Sequence, residues 1–464
     1  MGNAILKISN LRKTYYYLKK NGLKSAYYAA LERMIREKKE EYRYEAPKQD
    51  TLEQQRKASE SYPYTFSILV PAYETNPVYL REMLDSLCQQ SYGKWELILA
   101  DASHSEQVKE VIDTYEDKRL HYIRLTENKG ISENTNAALD AAAGDYIGLL
   151  DHDDVLTHDA LYEMANAIHE RETNGKQPWM LYSDEDKGNG ELTAFYEPHR
   201  KPEINIDLLL SNNYICHFLV MKRELMQELR FRPAYDGAQD YDLVLRAMGR
   251  LLFEKQTGQD MDRSRILHVP KVLYHWRCHT SSTAENPESK RYAYEAGKRA
   301  LEDFMKTRGW KGTVSHTKHL GFYRINYENG ILTQRNEVGA VGGRLLDRRG
   351  RVNGGIYDAN GRCPYKGLPK HFSGYMHRAA LTQEAYAVDP RHMQIRKELQ
   401  PIYEEVFGNP MLQDAKTRAA VFKETEIIQQ GIEFCSKVRE AGYTVVWMPE
   451  IPFSDKTMEN NTMK

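Results

Sequence analysis

Between Phe66 and Tyr182 short apolar runs alternate with stretches of helical period, and this alternation restricts the fold more than any other feature of the chain. Residues 66–70, 95–100, 121–125, 146–150 and 179–182 read as strands, and 78–90, 105–115, 131–142 and 157–168 as helices. Strands separated by single helices join one sheet in parallel through right-handed crossovers. The expected fold is therefore α/β, a Rossmann-like and mostly parallel sheet with helices on both faces. Ligands of such sheets lie outside the carboxyl ends of the strands, which makes the residues after each strand the ones to inspect.

The first strand runs into Pro71-Ala72-Tyr73-Glu74, the second into Asp101-Ala102-Ser103, the third into Asn128-Lys129-Gly130 and the fourth into Asp151-His152-Asp153-Asp154. Three carboxylates in four residues repel one another unless a cation neutralises them, and hard oxygen ligands suit Mg²⁺ or Mn²⁺ bridging a diphosphate. Helix capping by Asp154 or Thr157 ahead of Leu161 is the other reading, although one aspartate is enough for a cap. No G-x-G-x-x-G follows the first strand and no P-loop pattern occurs in the chain. A nucleotide would instead be held by Asp101, taking a base N–H, and by a metal on Asp153 that carries the phosphates.

The 464 residues suffice for two or three domains. Lys and Arg total 65 against 66 Asp and Glu, a net charge of −1 that excludes nucleic acid as a partner held by bulk charge. Cys88, Cys216, Cys278, Cys363 and Cys435 are scattered and form no C-x-x-C, which points to a reducing compartment rather than a zinc ribbon or disulfide framework. The spacing of His268, His275 and His279 matches no zinc pattern. No apolar run reaches the roughly 18 residues that span a bilayer, the N-terminus shows no secretory signal, and Leu6 breaks the myristoylation pattern begun by Gly2, so a cytoplasmic location is expected. Residues 1–31 break the charge balance: they carry Lys7, Arg12, Lys13, Lys19, Lys20 and Lys24, no acid, and interleaved Leu and Tyr. As one or two helices broken at Gly22, the segment can lie on an anionic membrane face or pack on the main domain with a solvated basic side.

The series PAYE, LADAS, ENKGIS, LLDHDD, YSDEDK, GAQDYDLVLR and HVPKVLYHWRCHTSSTA, in this order over residues 64–305, resembles family 2 glycosyltransferases of GT-A fold. The likeness is greatest to bacterial enzymes of rhamnosyltransferase type that build cell-surface polysaccharides. It implies an inverting, metal-dependent transfer of a sugar from a UDP- or dTDP-linked donor to a polymeric or lipid-linked glycan. It sets the base and ribose against Pro71, Tyr73, Glu74, Asp101 and Lys129. Asp151 and Asp153 match the first and last acids of a DxD motif, the former facing ribose or metal, the latter binding Mn²⁺ or Mg²⁺. Asp240 matches the catalytic base, and His275 and Arg277 the positions that complete the metal and diphosphate site. Gln239 stands where many relatives carry Glu.

The chemistry calls for the same parts, a carboxylate to take the acceptor proton and a cation for the departing diphosphate. Asp240 and Asp242 also suit a helix start, as cap and first-turn acid. Asp184, Glu185 and Asp186 either face the sugar or acceptor or form a solvated turn. With Gln239 and Asp242 they are the acceptor-side candidates, followed by Asn212, Asn213 and His217.

Past Trp310 the chain reads as a shortened second copy. Residues 322–327 resemble the linker of two-domain relatives and 338–345 the middle of a second GT-A domain, while the first half of that domain is missing. Gly431 aligns with Asp240, and a glycine cannot take a proton. The expected organisation is a basic helical segment and linker over 1–60, a catalytic GT-A domain over 61–312 and a truncated, catalytically incompetent copy over 313–464. That copy would serve packing, dimer formation or grip on a polymeric acceptor. A nucleotidyltransferase would want a glycine- and basic-rich loop in place of residues 71–74, and a non-catalytic glycan-binding scaffold would have no need of Asp151, Asp153 and Asp240.

Overall fold

The computed structural model describes residues 8–37, 42–253, 261–278, 291–408 and 424–454; Lys7, His279 and the rest of the TSSTA string lie outside the described residues. Two helices, α1 (Ile8–Glu37) and α2 (Gln49–Ala58), precede the first strand. The strands β1 (Phe66–Ala72), β2 (Trp95–Asp101), β3 (Leu120–Arg124) and β4 (Tyr146–Leu149) then alternate with α3 (Pro77–Cys88), α4 (Gln107–Ile112) and α5 (Ile131–Ala141). All three pairings among these strands are parallel. β1 is central, so Phe66, Ile68, Leu69 and Val70 are fully buried and its sequence is a continuous apolar run rather than an alternating one. Its register pairs Ala72 with Asp101 and Leu69 with Leu149, which brings three strand ends to one edge.

Beyond β4 the direction reverses. The chain passes through β5 (Val155–Leu156), α6 (Ala160–Thr173), β6 (Met180–Asn189), β7 (Phe195–His199) and α7 (Ile206–Leu209) before β8 (Leu219–Lys222), which enters antiparallel between β4 and β6. After α8 (Arg223–Leu229) and α9 (Gln239–Leu252), β9 (Ile266–Cys278) lies parallel to β6. The nine-stranded sheet has the order β3-β2-β1-β4-β8-β6-β9-β5, with β7 as a hairpin partner of β6. Leu243, Val244, Ala247 and Met248 of α9 recur at helical spacing and share a core with Ala296, Ala300 and Phe304 of α10 (Arg291–Thr307).

The hairpin β10 (Gly312–His316) and β11 (Tyr323–Tyr327), with α11 (Ile331–Gln334), leads to a second sheet. The elements of this C-terminal module are β12 (Val338–Leu346), β13 (Val352–Gly354), β14 (Ile356–Tyr357), β15 (Gln383–Glu384), β16 (Ala387–Val388), β17 (Met393–Ile395), α12 (Gln400–Phe407), α13 (Glu424–Glu440) and β18 (Thr444–Ser454), of which β14 and β16 pair only with each other, apart from the five-stranded sheet. β12 pairs antiparallel with β13 and β17 and, after α13, parallel with β18. β6 stands in the same relation to β7, β8 and, after α9, β9. Among the described residues of this module, nothing corresponds to β1–β4.

The two units are locked together. Arg335 is wholly buried, 2.5 Å from Asp207 of α7 and 2.7 Å from Glu337, with its guanidinium over the Trp310 ring. α1 bends at Gly22, whose φ of 78° needs glycine. It packs on the C-terminal module: Asn21 donates to the Lys318 carbonyl, Tyr28 stacks on His371, and the Glu32 carboxylate accepts the amides of Ser373 and Gly374. The chain then returns to the first domain, where Tyr42 donates to Asp186 and Tyr44 meets His275 edge-on.

Candidate active site

The ends of β1 and β2 form one wall of a cleft. Pro71 and Ala72 close β1, and Tyr73 lies exposed beyond them, edge-on to His104. Glu74, at φ 46°, accepts the amides of His104 at 2.7 Å and Ser105 at 3.2 Å and the Ser105 hydroxyl at 2.7 Å. The Ser105 hydroxyl and these two amides hold its carboxyl below the usual carboxylate range. Glu74 thus fixes the β2 loop. Asp101 is fully buried: Oδ1 accepts the Ser103 amide, and Oδ2 accepts the Tyr122 hydroxyl at 2.8 Å and Arg124 Nη1 at 3.0 Å. Three of its roughly four acceptor directions are in use within the protein. Lys129 is exposed, 3.3 Å from Glu127. At Gly130, φ 94°, a Cβ would strike the carboxylate of Asp236, which also accepts the Ser132 amide and so docks the 236–240 loop on the start of α5.

The turn after β4 is held from beneath by β9. Tyr274 donates to Asp154 at 2.6 Å, the Arg277 amide donates to the other Asp154 oxygen at 2.7 Å, and Arg277 Nε donates to the Asp153 carbonyl at 2.5 Å. Asp154 is therefore frame rather than cap. Arg277, expected at the diphosphate, is instead 1% exposed, clasped by the Gly190 carbonyl and Glu82 with its guanidinium over the Tyr79 ring. His275, expected on the metal, is equally buried; its Nδ1 lies 2.6 Å from Asp186, and Tyr44 and Phe195 enclose the ring. Both face inward because β9 is an interior strand whose polar side chains must find partners in the core.

Asp151 keeps about half of its side-chain surface and lies 3.8 Å from His217 Nε2. Its carboxyl is raised, first by its recessed position, with His217 pulling it down and Asp153 and Asp240 pushing it up. A divalent cation would relieve such crowding, and Asp151 and Asp153 are the residues that would offer it hard oxygens of the kind Mg²⁺ or Mn²⁺ takes alongside phosphates and water. His275 does not fit as a further ligand. Among the described residues, no group of three His, Cys, Asp or Glu side chains is placed to hold a metal by itself.

Asp240 stands in the first turn of α9, whose cap is Ala238. Its Oδ2 accepts Asn213 Nδ2 at 2.7 Å and faces the Cys216 thiol at 3.6 Å, and no partner occupies Oδ1 among the described residues. Cys216, at φ 35°, lies 3.5 Å from His217 Nε2. His217 stacks on Tyr274, and its Nδ1 is 3.2 Å from Glu185. Burial lowers the His217 pKa, but Cys216 and Glu185 outweigh it and raise the imidazole well above its ordinary value. Buried Lys201 ties this loop down through the carbonyls of Ile215 and His217 and lies 3.4 Å from Glu185.

Along β6 the acids alternate as a strand requires. Glu185 reaches the site, whereas Asp184 accepts the Lys201 amide and His268, and Asp186 accepts Tyr42 and His275. Asp242, an acceptor-side candidate, is buried between Arg232 and Arg246, and Gln239 accepts the Gly237 amide. The cluster around Asp240 thus includes Asn213 and His217, which the sequence ranked behind the acids, and Cys216, which it read only as one scattered cysteine.

The model of glycosyl transferase family 2 matches residues 67–230. Those residues form a family 2 glycosyltransferase domain. The match spans β1 to α8 and ends ahead of Asp240. An uncharacterized protein y4gI of Sinorhizobium fredii is 40% identical over 52% of this chain and 25% of its own length. The O-antigen biosynthesis protein RfbC of Myxococcus xanthus is 30% identical over 56% of this chain and 19% of its own. The chain therefore spans a quarter or less of the length of these two relatives. The solved structure of S. aureus TarS in complex with UDP-GlcNAc covers 52% of this chain and 66% of its own at 19% identity, with a TM-score of 0.40, too low to bear on the site. No described helix of the chain is long and apolar enough to cross a membrane.

Proposed function

We propose that this chain is an inverting glycosyltransferase that moves one sugar from a UDP- or dTDP-linked donor to a growing bacterial surface glycan. The observation that carries the proposal is Asp240, oriented on one oxygen by Asn213 and open on the other, in one cluster with Asp151 through Cys216 and His217. Asp240 accepts the proton of the acceptor hydroxyl as that oxygen attacks the anomeric carbon, a single displacement that inverts the centre and needs no covalent nucleophile. Asp101 and Glu74 shape the base and ribose wall. Asp151 and Asp153 would hold Mg²⁺ or Mn²⁺, which when bound neutralises the leaving diphosphate. Relatives named for O-antigen and amylovoran biosynthesis support a glycan acceptor. Rhamnose is the donor sugar suggested by the resemblance.

Thermal unfolding with UDP- and dTDP-sugars, with and without Mn²⁺, tests this, because a ligand of the folded state raises the midpoint by mass action. One donor should give a Mn²⁺-dependent rise, worth about 2.7 kcal/mol at a hundredfold excess over Kd, that Asp153→Asn abolishes. No rise with any donor would overturn the proposal.

The same reading sets α1 on the anionic membrane face that carries a lipid-linked acceptor. Leu23, Tyr27 and Met34 recur on one side of that helix at exposures of 79%, 64% and 53%, with Lys24 exposed beside them. Leu23→Ser with Tyr27→Ser should release the protein from phosphatidylglycerol vesicles, and unchanged co-sedimentation would refute the docking.

A further inference from the structure

A second concavity lies where the first domain meets the C-terminal module. Glu185 and Lys187 of β6, Glu197 of β7 and Trp276 of β9 form three of its sides, and the module supplies Tyr375 and Met376. Tyr375 is fixed at its hydroxyl, which donates to the Pro198 carbonyl at 2.5 Å and accepts the Arg200 amide at 2.8 Å. Lys187 is held 2.7 Å from Glu197 and 5.7 Å from the centre of the Trp276 ring. Ring faces and a thioether set among carboxylates suit a pyranose, whose C–H faces stack on aromatics while its hydroxyls donate to carboxylate oxygens. Glu185 and Glu197 outnumber Lys187 among the side chains that face the pocket, which disfavours a polyanionic sugar; Asp186 is turned away to Tyr42 and His275.

Two further observations set this pocket apart from an accidental crevice between domains. Glu197 has φ 48° and Met376 φ 47°, conformations that cost a non-glycine residue of order 1 kcal/mol or more and concentrate at working sites. Of the other six such positions among the described residues, Glu74 and Cys216 border the cleft and His377 follows Met376, while Leu192, Arg230 and Asn329 lie between elements elsewhere. Glu185 belongs to the pocket and to the active-site cluster at once, through His217 at 3.2 Å and from there to Cys216 and Asp240. His217 also lies 6.0 Å, ring centre to ring centre, from Trp276, so it touches both the pocket and the Asp240 cluster.

We propose that this pocket binds an uncharged pyranose of the acceptor glycan, so that acceptor recognition is shared between the glycosyltransferase domain and a module that lacks catalytic residues. The word acceptor rests on the transferase reading above; sugar binding in the pocket does not. The test is saturation-transfer NMR of the full chain with UDP and Mn²⁺ present, against methyl glucoside, galactoside, N-acetylglucosaminide, rhamnoside and glucuronide. At least one neutral methyl glycoside should bind, the glucuronide should not, and affinity should fall about tenfold in Trp276→Ala and in Met376→Gly. Calorimetric UDP binding should be unchanged in both variants. Met376→Gly, which glycine frees of its strained φ, decides the matter should Trp276→Ala not fold. No neutral glycoside bound by the wild type, or undiminished affinity in the folded variants, overturns the pocket. Equal binding of the glucuronide overturns its assignment to uncharged sugars. Absence of UDP binding alongside Trp276-dependent glycoside binding overturns the transferase reading and leaves the pocket standing.

Discussion

In the first domain the helix that precedes the last strand begins at Gln239, and Asp240 sits in its opening turn beside Asn213. In the C-terminal module its counterpart is already helical at Glu424, and Gly431, which the sequence comparison sets opposite Asp240, lies well inside it. A Cβ at Gly431 would meet the Pro390 ring at 2.8 Å and the Val388 carbonyl at 3.2 Å. The strand relations around β6 and β12 are the same, so topology does not separate an open site from a filled one. The start of one helix does, together with the strands β1, β2 and β4 whose ends wall the cleft.

The sharpest way to break this comparison is to exchange the two positions. Asp240→Asn should lower UDP release from the preferred donor by about 10²- to 10⁴-fold, the range for loss of a general base, and leave the donor's thermal shift intact. Gly431→Asp should bring no activity and should destabilise the protein by about 1–3 kcal/mol through overpacking against Pro390. An Asp240→Asn variant of undiminished rate would show that the open carboxylate is not the base.

A second test asks whether the module is an appendage or part of the same folding unit. Arg335→Ala leaves Asp207 and Glu337 buried without their cation, at a cost of about 3–5 kcal/mol. Urea unfolding should show one transition at lower denaturant. Two separate transitions, or a loss under about 1 kcal/mol, would make the units independent.

The parallel half of the sheet was legible because each strand is an apolar run between helical patterns: the expected 66–70 and 95–100 are found as Phe66–Ala72 and Trp95–Asp101. The reversal at β8 was not, since Leu219–Lys222 is as apolar as its neighbours and its direction is decided by the irregular chain before it. At the site, periodicity flags the acids of residues 151–154 at a strand end, whereas Asp240 was singled out by the family resemblance. Periodicity cannot say which way a polar residue of an interior strand points; His275 and Arg277, which the resemblance set at the metal and diphosphate, pack inward on Asp186 and on Glu82 and the Gly190 carbonyl. Asn213, Cys216 and His217 lie on an irregular segment with no period to place them, and only tertiary folding brings them to Asp240.

The junction of α1 with the module holds a histidine that should answer to acid, as should His199 and His158 of the first domain, whose pKa burial also lowers. His319 stacks on His377 with ring centroids 3.6 Å apart and lies 5.9 Å from Tyr17 of α1. Burial, then His377 and Lys318, push its pKa down to about 2. An unfolded histidine titrates near 6.5, so between the two values the folded form binds fewer protons. The resulting stability is present above about pH 6.5 and is lost as the pH falls, on the order of 1–2 kcal/mol by pH 5. His217 in the first domain is shifted the other way, so it contributes no loss in this window. His319→Phe, which keeps an aromatic ring against His377, should flatten the thermal midpoint between pH 6.5 and 5. An unchanged slope would move the acid sensitivity away from the junction of α1 with the module.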